Sequence, residues 1–324
     1  MELLETVDCN LCGSHRYTPI YEMPDARFFP QNVFQVVECN DCGLGFVNPR
    51  PTIQEISKYY PPEYFQSPVT HSFERYLTRR FTLEARYLDG IENSSAPRTL
   101  LDVGCANGEF ARFMAARGWR VEGVEVSESS QPISDFRVYA QEFHKIRVHQ
   151  PNYDAVTAWA VLEHVHDPMA YFRKAAQVLR KDGLFVFNVP NFASVSSRYL
   201  FCEDIPRHLY FFTRETVGRY LQETGFTSVR EDNGRAIYKM APRGWLPFMV
   251  RTKLLRKKFT YQDIPLTSRE FRKVHGLKRS LYAALKYAAY SPGLTIDRML
   301  WPVIETVQIL RKTYGMSTYV ARRQ

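Results

Sequence analysis

Leu100-Leu101-Asp102-Val103-Gly104-Cys105-Ala106-Asn107-Gly108-Glu109-Phe110, followed by Val121-Glu122-Gly123-Val124-Glu125-Val126, decides the fold of this chain. The run reads as a buried strand, a glycine-punctuated turn, a helix and a second strand ending in a carboxylate, which is the layout of a nucleoside-binding α/β unit. Glu125 stands 21 positions after Gly104. That is near the offset of roughly 20 residues at which an acidic side chain meets two ribose hydroxyls. One part of the ligand is therefore expected to be an adenosine-like group.

Glycine spacing narrows the ligand further. A dinucleotide turn of the GxGxxG type needs three small residues so that backbone amides can close on a pyrophosphate. Gly104-Cys105-Ala106-Asn107-Gly108 keeps two glycines and fits that pattern in neither register. A loop of the form Asp-x-Gly-x-x-x-Gly can approach a ligand that brings no phosphates, such as the methionine part of S-adenosylmethionine. For the glycines alone, an ordinary strand-to-helix turn is the alternative.

Tyr153 to Val165 reads as a strand running into a turn and a helix. Ala175 to Gly183 reads as the close of that helix, with a basic last turn and glycine at the stop. Leu184 to Asn191 is another buried strand, so the order is strand, helix, strand, strand, helix, strand. At these residues the chain resembles the class I S-adenosylmethionine-dependent methyltransferases, through the Asp102 to Gly108 loop, Glu125, the strand start at Asp154, Leu162-Glu163-His164-Val165 and Leu179 to Gly183. More narrowly it resembles a subfamily that carries Val189-Pro190-Asn191 and then Asp204-Ile205-Pro206-Arg207-His208-Leu209-Tyr210-Phe211-Phe212. The resemblance implies an α/β fold, a Rossmann-like seven-stranded sheet with helices on both faces. It implies a cofactor site built from Asp102, Gly104, Cys105, Ala106, Gly108, Glu125, Gln141, Trp159 and Ala160. Two departures stand out. Ala106 occupies a position where the family usually has glycine, and Ser127 to Val138, broken by Pro132, is short where a longer helix is usual. The adenine contact is thereby left open between Gln141 and Glu142.

The 324 residues are 45% hydrophobic, 14% aromatic and 24% charged, the composition of a globular chain able to bury a core. No 18 consecutive residues are apolar, and the N-terminus Met1-Glu2-Leu3-Leu4-Glu5 is acidic where a secretory signal would be basic and then apolar. A cytoplasmic location is expected. Four of the six cysteines form two pairs, which in that compartment argues for metal over disulfides. Cys9-Asn10-Leu11-Cys12 and Cys39-Asn40-Asp41-Cys42 are CxxC knuckles 26 residues apart, each followed by a glycine, Gly13 or Gly43. Such knuckles converge thiolates on one cation, and four thiolates with no open position predict a structural zinc site at Cys9, Cys12, Cys39 and Cys42. A redox pair is the rival reading of a single CxxC. The segment after the second knuckle, with Tyr59-Tyr60-Pro61-Pro62-Glu63-Tyr64-Phe65, also resembles the zinc ribbon of the same subfamily. Its aromatics read either as a lid packing the ribbon onto the core or as a sugar-stacking surface. Residues 71–92 follow as an amphipathic connecting helix, with Phe73, Leu77, Phe81 and Leu88 at helical spacing.

Methyl transfer from a sulfonium is an in-line displacement in which the enzyme aligns donor and acceptor, and a hydroxyl acceptor needs a base. His208 is the first candidate, because its loop is expected to overhang the open end of the sheet and histidine titrates near neutrality. His164 is the second, just past the strand Val156 to Val161, with packing or cofactor orientation as its weightier role; Glu163 is expected to position that turn. From Arg243 to Lys286 there are 12 Lys or Arg against Asp263 and Glu270, so this piece carries +10 while the whole chain carries +9. Trp245, Leu246, Phe248, Met249, Leu254 and Leu255 intersperse with these charges, and Leu281, Leu285, Tyr287, Tyr290, Leu300 and Trp301 follow. The insert reads either as a peripheral membrane contact through residues 243–301 or as a helical cap with a solvated basic face; no nucleic-acid motif accompanies it.

The expected organisation is a zinc ribbon over residues 1–70, a connecting helix over 71–97, a core over 98–240, a basic insert over 241–315 and a final core strand over 316–324. The leading functional expectation is O-methylation of a sugar, glycan or glycolipid-type small-molecule acceptor. C-methylation of a nucleotide sugar, a lipid or quinone-like methyltransferase, and a silent zinc-bearing scaffold are the alternatives.

Overall fold

The structure is a computed structural model that describes residues 3–64, 71–89, 91, 97–127, 133–148, 152–233, 240, 242–263 and 280–324, apart from the side chains of 71–73, 262 and 280–294. The N-terminal strands are β1 (Leu4–Glu5), β2 (Tyr17–Pro24), β3 (Val33–Cys39), β4 (Gly45–Val47) and β5 (Arg50–Pro51). The core then supplies β6 (Thr99–Val103), β7 (Arg120–Val124), β8 (Arg137–Tyr139), β9 (Tyr153–Trp159), β10 (Leu179–Pro190), β11 (Tyr210–Phe211), β12 (Phe226–Asn233) and β13 (Met316–Arg323).

A seven-stranded sheet forms the centre, in the order β12-β13-β10-β9-β6-β7-β8. Its pairs are parallel from β10 through β9, β6 and β7 to β8, and β13 runs antiparallel between β10 and β12. Leu100, Leu101 and Val103 of β6 are buried, as the apolar run requires of a strand covered on both faces. One face carries α1 (His71–Ala85) and α2 (Glu109–Ala115), where Phe81, Leu88, Phe110 and Met114 close one core cluster. The other carries α3 (Pro168–Val178), with Phe172 stacked between the sheet and Tyr220 of α5 (Arg214–Glu223). β6 has β7 on one side and β9 on the other, so the chain reverses its winding there and opens a crevice beyond the strand ends.

Helix α3 begins on a good local signal: the Asp167 side chain accepts from the Ala170 N–H and Pro168 takes the first helical position. Its end differs from the sequence expectation. The helix stops at Val178, and Leu179 is already extended and paired with Tyr153. Arg180 to Gly183 form a bulge in β10; Asp182 takes a left-handed φ of 61°, and a Cβ on Gly183 would stand 2.9 Å from the Arg180 carbonyl. Burial of Leu179 in the sheet outweighs the helix-stop signal of Lys181-Asp182-Gly183.

The N-terminal module is joined to the core more closely than a separate unit over 1–70 implies. Strands β2, β3 and β4 form an antiparallel sheet whose fourth strand, β11, comes from the core loop at Tyr210 and Phe211. Arg207 locks the junction. It is fully buried, and its Nη1 and Nη2 donate to Asp25 of the module at 3.0 and 2.8 Å, its Nε and Nη2 to Asp204 at 2.9 and 2.7 Å, and Nη1 also to the Tyr59 carbonyl at 2.9 Å. All five guanidinium N–H groups are thereby used.

The insert contains α6 (Trp245–Met249), a π-helical turn (Val250–Leu254) and α7 (Ser280–Leu310). Trp245, Leu246, Phe248 and Met249 do not form the outward apolar face that the sequence suggested. They are half-buried, with Phe248 stacked on Tyr199 and edge-on to Phe259, because these rings complete a core cluster around Phe192 and Phe201. The side chains of Leu281, Leu285, Tyr287 and Tyr290 and residues 264–279 lie outside the described residues.

Removing the guanidinium leaves Asp25 buried without its counter-charge. Arg207→Ala is expected to lower stability by about 3–5 kcal/mol in urea unfolding.

Candidate functional site

Beyond the ends of β6, β7 and β9 lies a cleft of about 690 Å3. Val103, Gly104, Glu125 and Glu142 line one part of it; Ile56, Tyr60, Tyr64, Val161 and His164 line another. Glu125, directly after β7, projects its carboxylate across the glycine turn. Its Oε2 accepts from the Ala106 N–H at 2.8 Å and its Oε1 from the Ser127 N–H at 2.7 Å. A carboxylate has lone pairs to spare beyond these two bonds, so it can still accept from vicinal hydroxyls.

Gly104 adopts φ +68°, and a Cβ there would stand 2.5 Å from Val161 Cγ2, so glycine lets the turn approach the β9 loop. Ala106 also takes a positive φ, 47°, which explains why glycine would serve better at this position. Ala160, on the cleft wall, has φ 56° and donates its N–H to the Asn188 side-chain oxygen at 2.6 Å.

Several expected cofactor residues do not line the cleft. Asp102 is buried beneath the turn and accepts from Thr157 Oγ1 at 2.7 Å; burial pushes its carboxyl up to about 7. Gly108 opens α2 at φ +76°, and a Cβ there would meet Phe136 at 2.7 Å, so the glycine serves packing. Cys105 is buried against Gly123, where burial raises its thiol. Trp159 turns its ring to the opposite face of the sheet, 5.5 Å from Phe110 and 6.4 Å from Tyr87. Gln141 is exposed to solvent outside the cleft, and its neighbour Glu142 takes the place in the wall.

The two histidines lie together, rings edge-on with centroids 4.7 Å apart. Only His164 reaches the cleft wall. Its Nδ1 is 3.0 Å from the Arg207 carbonyl and 3.0 Å from the Tyr60 hydroxyl. A carbonyl can only accept, so Nδ1 carries the hydrogen and Nε2 the lone pair. Burial, reinforced by His208, pushes the His164 imidazole down to about 3 and keeps it neutral. His208 sits behind it with Nδ1 2.6 Å from Glu203 Oε2. Burial alone would lower this imidazole, but the Glu203 carboxylate outweighs it and raises the group. The Asp204 to Phe212 loop turns His208 toward Glu203 and leaves His164 in the cleft wall.

The Glu163 backbone ties the turn to the Asp204 to Phe212 loop. Its carbonyl accepts from Leu209 N at 2.7 Å and from Tyr210 N at 3.2 Å. Its buried side chain is pushed up to about 7. In the aromatic stretch, Tyr59 packs between Phe29 and Phe34 in the module core, and Tyr60 and Tyr64 line the cleft. Glu203 and the cleft residue His166 had no motif that would mark them.

At the other end of the module the sulfurs of Cys9, Cys12, Cys39 and Cys42 lie within 4.8 Å of one another, with Cys9–Cys42 at 3.3 Å and Cys12–Cys39 at 3.6 Å. Gly13 and Gly43 take φ +71° and +76° directly after the knuckles. The sulfurs of a tetrahedral Zn–S4 centre stand roughly 3.8 Å apart. The set fits such an ion.

Fold and site define a Rossmann-like nucleoside-binding α/β domain. A family described as a methyltransferase domain matches residues 72–231, so the chain carries a methyltransferase domain. The ubiquinone biosynthesis O-methyltransferase of Acinetobacter baumannii (strain AYE) is 35% identical over 130 residues, 36% of this chain and 54% of that protein. The one from Azoarcus sp. (strain BH72) is 30% identical over 156 residues, 41% and 66% of the two chains. The chain spans about half the length of several curated relatives it matches, 51% and 54% in two of them. Among solved structures, phosphoethanolamine N-methyltransferase 2 of Haemonchus contortus superposes with a TM-score of 0.50 at 14% identity, covering 95% of this chain and 68% of that one, and shares its fold.

Ala106→Gly relieves a left-handed alanine. It is expected to raise stability by about 0.5–1 kcal/mol in chemical denaturation, with the cleft unchanged.

Proposed function

We propose that the protein transfers a methyl group from S-adenosylmethionine to a hydroxyl oxygen on an aromatic ring. The observation that carries the donor is the Glu125 carboxylate beside the Gly104 turn inside the cleft. When bound, S-adenosylmethionine supplies an electrophilic methyl on its sulfonium sulfur. Glu125 would hold the ribose hydroxyls, the Gly104 backbone the methionine part, and Glu142 the base edge.

His164 is the proposed proton acceptor. With Nδ1–H donated to the Arg207 carbonyl, its free Nε2 can take the acceptor's hydroxyl hydrogen, and the O–H bond breaks as the oxygen gains the methyl group. His208, tied to Glu203, packs edge-on against it and acts as a positioning residue. The burial that keeps His164 neutral also makes it a weak base. A weak base serves a phenolic hydroxyl better than the far less acidic hydroxyl of a sugar. Ile53, Ile56, Val161, Val165, Tyr60 and Tyr64 in the cleft wall suit a flat apolar ring in the same way. This favours the quinone-like alternative over the sugar or glycan acceptor of the leading sequence reading. The names of the curated relatives point the same way.

We also assign a structural zinc ion to the four cysteines. It would brace the module whose Ile56, Tyr60 and Tyr64 wall the cleft.

Glu125→Ala is expected to weaken S-adenosylmethionine binding by roughly tenfold to thirtyfold in calorimetric titration. His164→Ala should lower turnover of a catechol-type acceptor by on the order of a hundredfold or more while cofactor affinity holds. Because His164 is neutral down to about pH 3, wild-type kcat/KM should show no histidine inflection between about pH 5 and 8. A rate that climbs through a value above the ordinary histidine range would hand the role to His208, and turnover of sugars without phenols would overturn the acceptor assignment.

Metal analysis of the purified chain should find one zinc per molecule. Cys39→Ser should lose it and at least about 3 kcal/mol of stability, and a metal-free, fully stable protein would exclude the assignment.

A further inference from the structure

Helix α7 turns an apolar stripe to solvent. On its described part Ile296, Met299, Val303, Val307 and Leu310 are 51%, 72%, 62%, 43% and 79% exposed. Their spacing of 3, 4, 4 and 3 residues places all five within an arc of roughly 80° over about 21 Å of helix. The side turned to the protein is mixed: Leu300, Trp301 and Ile304 are half-buried there, beside buried polar groups. Asp297, fully buried, accepts from Gly244 N at 2.9 Å, Leu246 N at 2.8 Å and Trp301 Nε1 at 3.1 Å. Buried Gln308 accepts from Val195 N at 2.8 Å. A surface helix ordinarily buries its apolar stripe and exposes its polar one, so the outward stripe of α7 is built for a partner.

Charge identifies that partner. Across residues 242–263 and 295–312 every exposed charged side chain is cationic: Lys253, Arg256, Lys257, Lys258, Arg298, Arg311 and Lys312. The acids of the same stretches are turned inward. Asp263 pairs with Arg251 at 3.1 Å, Asp297 is buried and Glu305 is half-buried. Leu254 and Leu255, 75% and 54% exposed, stand beside the first cationic group. A second copy of this chain, itself +9, would bring the same cations against them.

We propose that α7 and the turn at Lys253 to Lys258 lie on an anionic lipid surface, with Ile296 to Leu310 in the interfacial plane and the lysines and arginines among the headgroup phosphates. An apolar stripe flanked by cations is the arrangement that gains both from hydrocarbon burial and from the negative surface potential. The helix lies along the surface, since no described helix is long and apolar enough to cross a membrane. The surface involves different residues from the cleft, so it stands or falls separately from the proposed reaction.

Full-length protein should co-sediment with phosphatidylglycerol-containing vesicles at low salt. It should bind about tenfold more weakly at high salt, and hardly at all to pure phosphatidylcholine vesicles. Met299→Asp and Val303→Asp, both at exposed positions, should each weaken vesicle binding by roughly tenfold with S-adenosylmethionine binding unchanged. Lys257→Glu with Lys258→Glu should remove much of the salt dependence. Absence of binding to anionic vesicles would overturn the inference, and so would vesicle binding indifferent to Met299→Asp. A dimer in gel filtration that Val303→Asp splits, without vesicle binding, would assign the stripe to a second copy instead.

Discussion

The buried guanidinium of Arg207 is the constraint on which the rest of the site depends. Desolvating such a charge is costly unless every donor finds an acceptor. Here the acceptors come from three separate stretches of chain: Asp25 in the N-terminal sheet, Asp204 in its own loop, and the Tyr59 carbonyl in the segment that brings Tyr60 and Tyr64 to the cleft. The interaction is therefore satisfied only when all three are in place. Its backbone extends the effect, because the Arg207 carbonyl accepts from His164 and so selects the tautomer of the cleft histidine.

A second arginine repeats the device nearby. Arg50 donates to Glu5, to the His166 carbonyl and to the Tyr210 hydroxyl, tying β5 to the turn after β9 and to β11. The N-terminal module is in this way part of the cleft wall, although no cysteine of its four-cysteine cluster lines the cleft. Low dielectric in the same region acts on each ionisable group by its chemistry. It keeps the His164 imidazole neutral and pushes the Glu163 carboxyl up, while at His208 the Glu203 carboxylate, helped by Glu163 and Asp204, outweighs burial.

The central sheet was legible because its signals are local. Apolar runs, the glycine turn and the acidic residue after β7 all lie within one strand-turn-helix-strand unit. Where the structure departs from what the sequence suggested, or decides what it left open, the cause is competition from distant residues. Lys181-Asp182-Gly183 is a fair helix stop, but Leu179 is drawn into the sheet by Tyr153 before the helix gets there. Trp159 ends a strand whose side chains alternate, and only the packing of Phe110 and Tyr87 shows which face its ring takes. Gln141 and Glu142 are adjacent, and the path of the loop between β8 and β9 decides which of them enters the wall. In the insert, composition announced a basic apolar surface, yet its N-terminal aromatics turned inward and the exposed stripe emerged in α7.

By itself the sequence determined the α/β unit, the carboxylate that follows β7, the four-thiol cluster and the local charge of the insert, because each rests on residue types at short spacing. Only the tertiary structure decided that β11 joins the N-terminal sheet, that Arg207 bridges Asp25 and Asp204, that His164 and not His208 faces the cleft, and that α7 turns its apolar side outward. These depend on contacts between residues as many as 182 positions apart, and the burial and pairing that set them exist only once the chain has closed on itself.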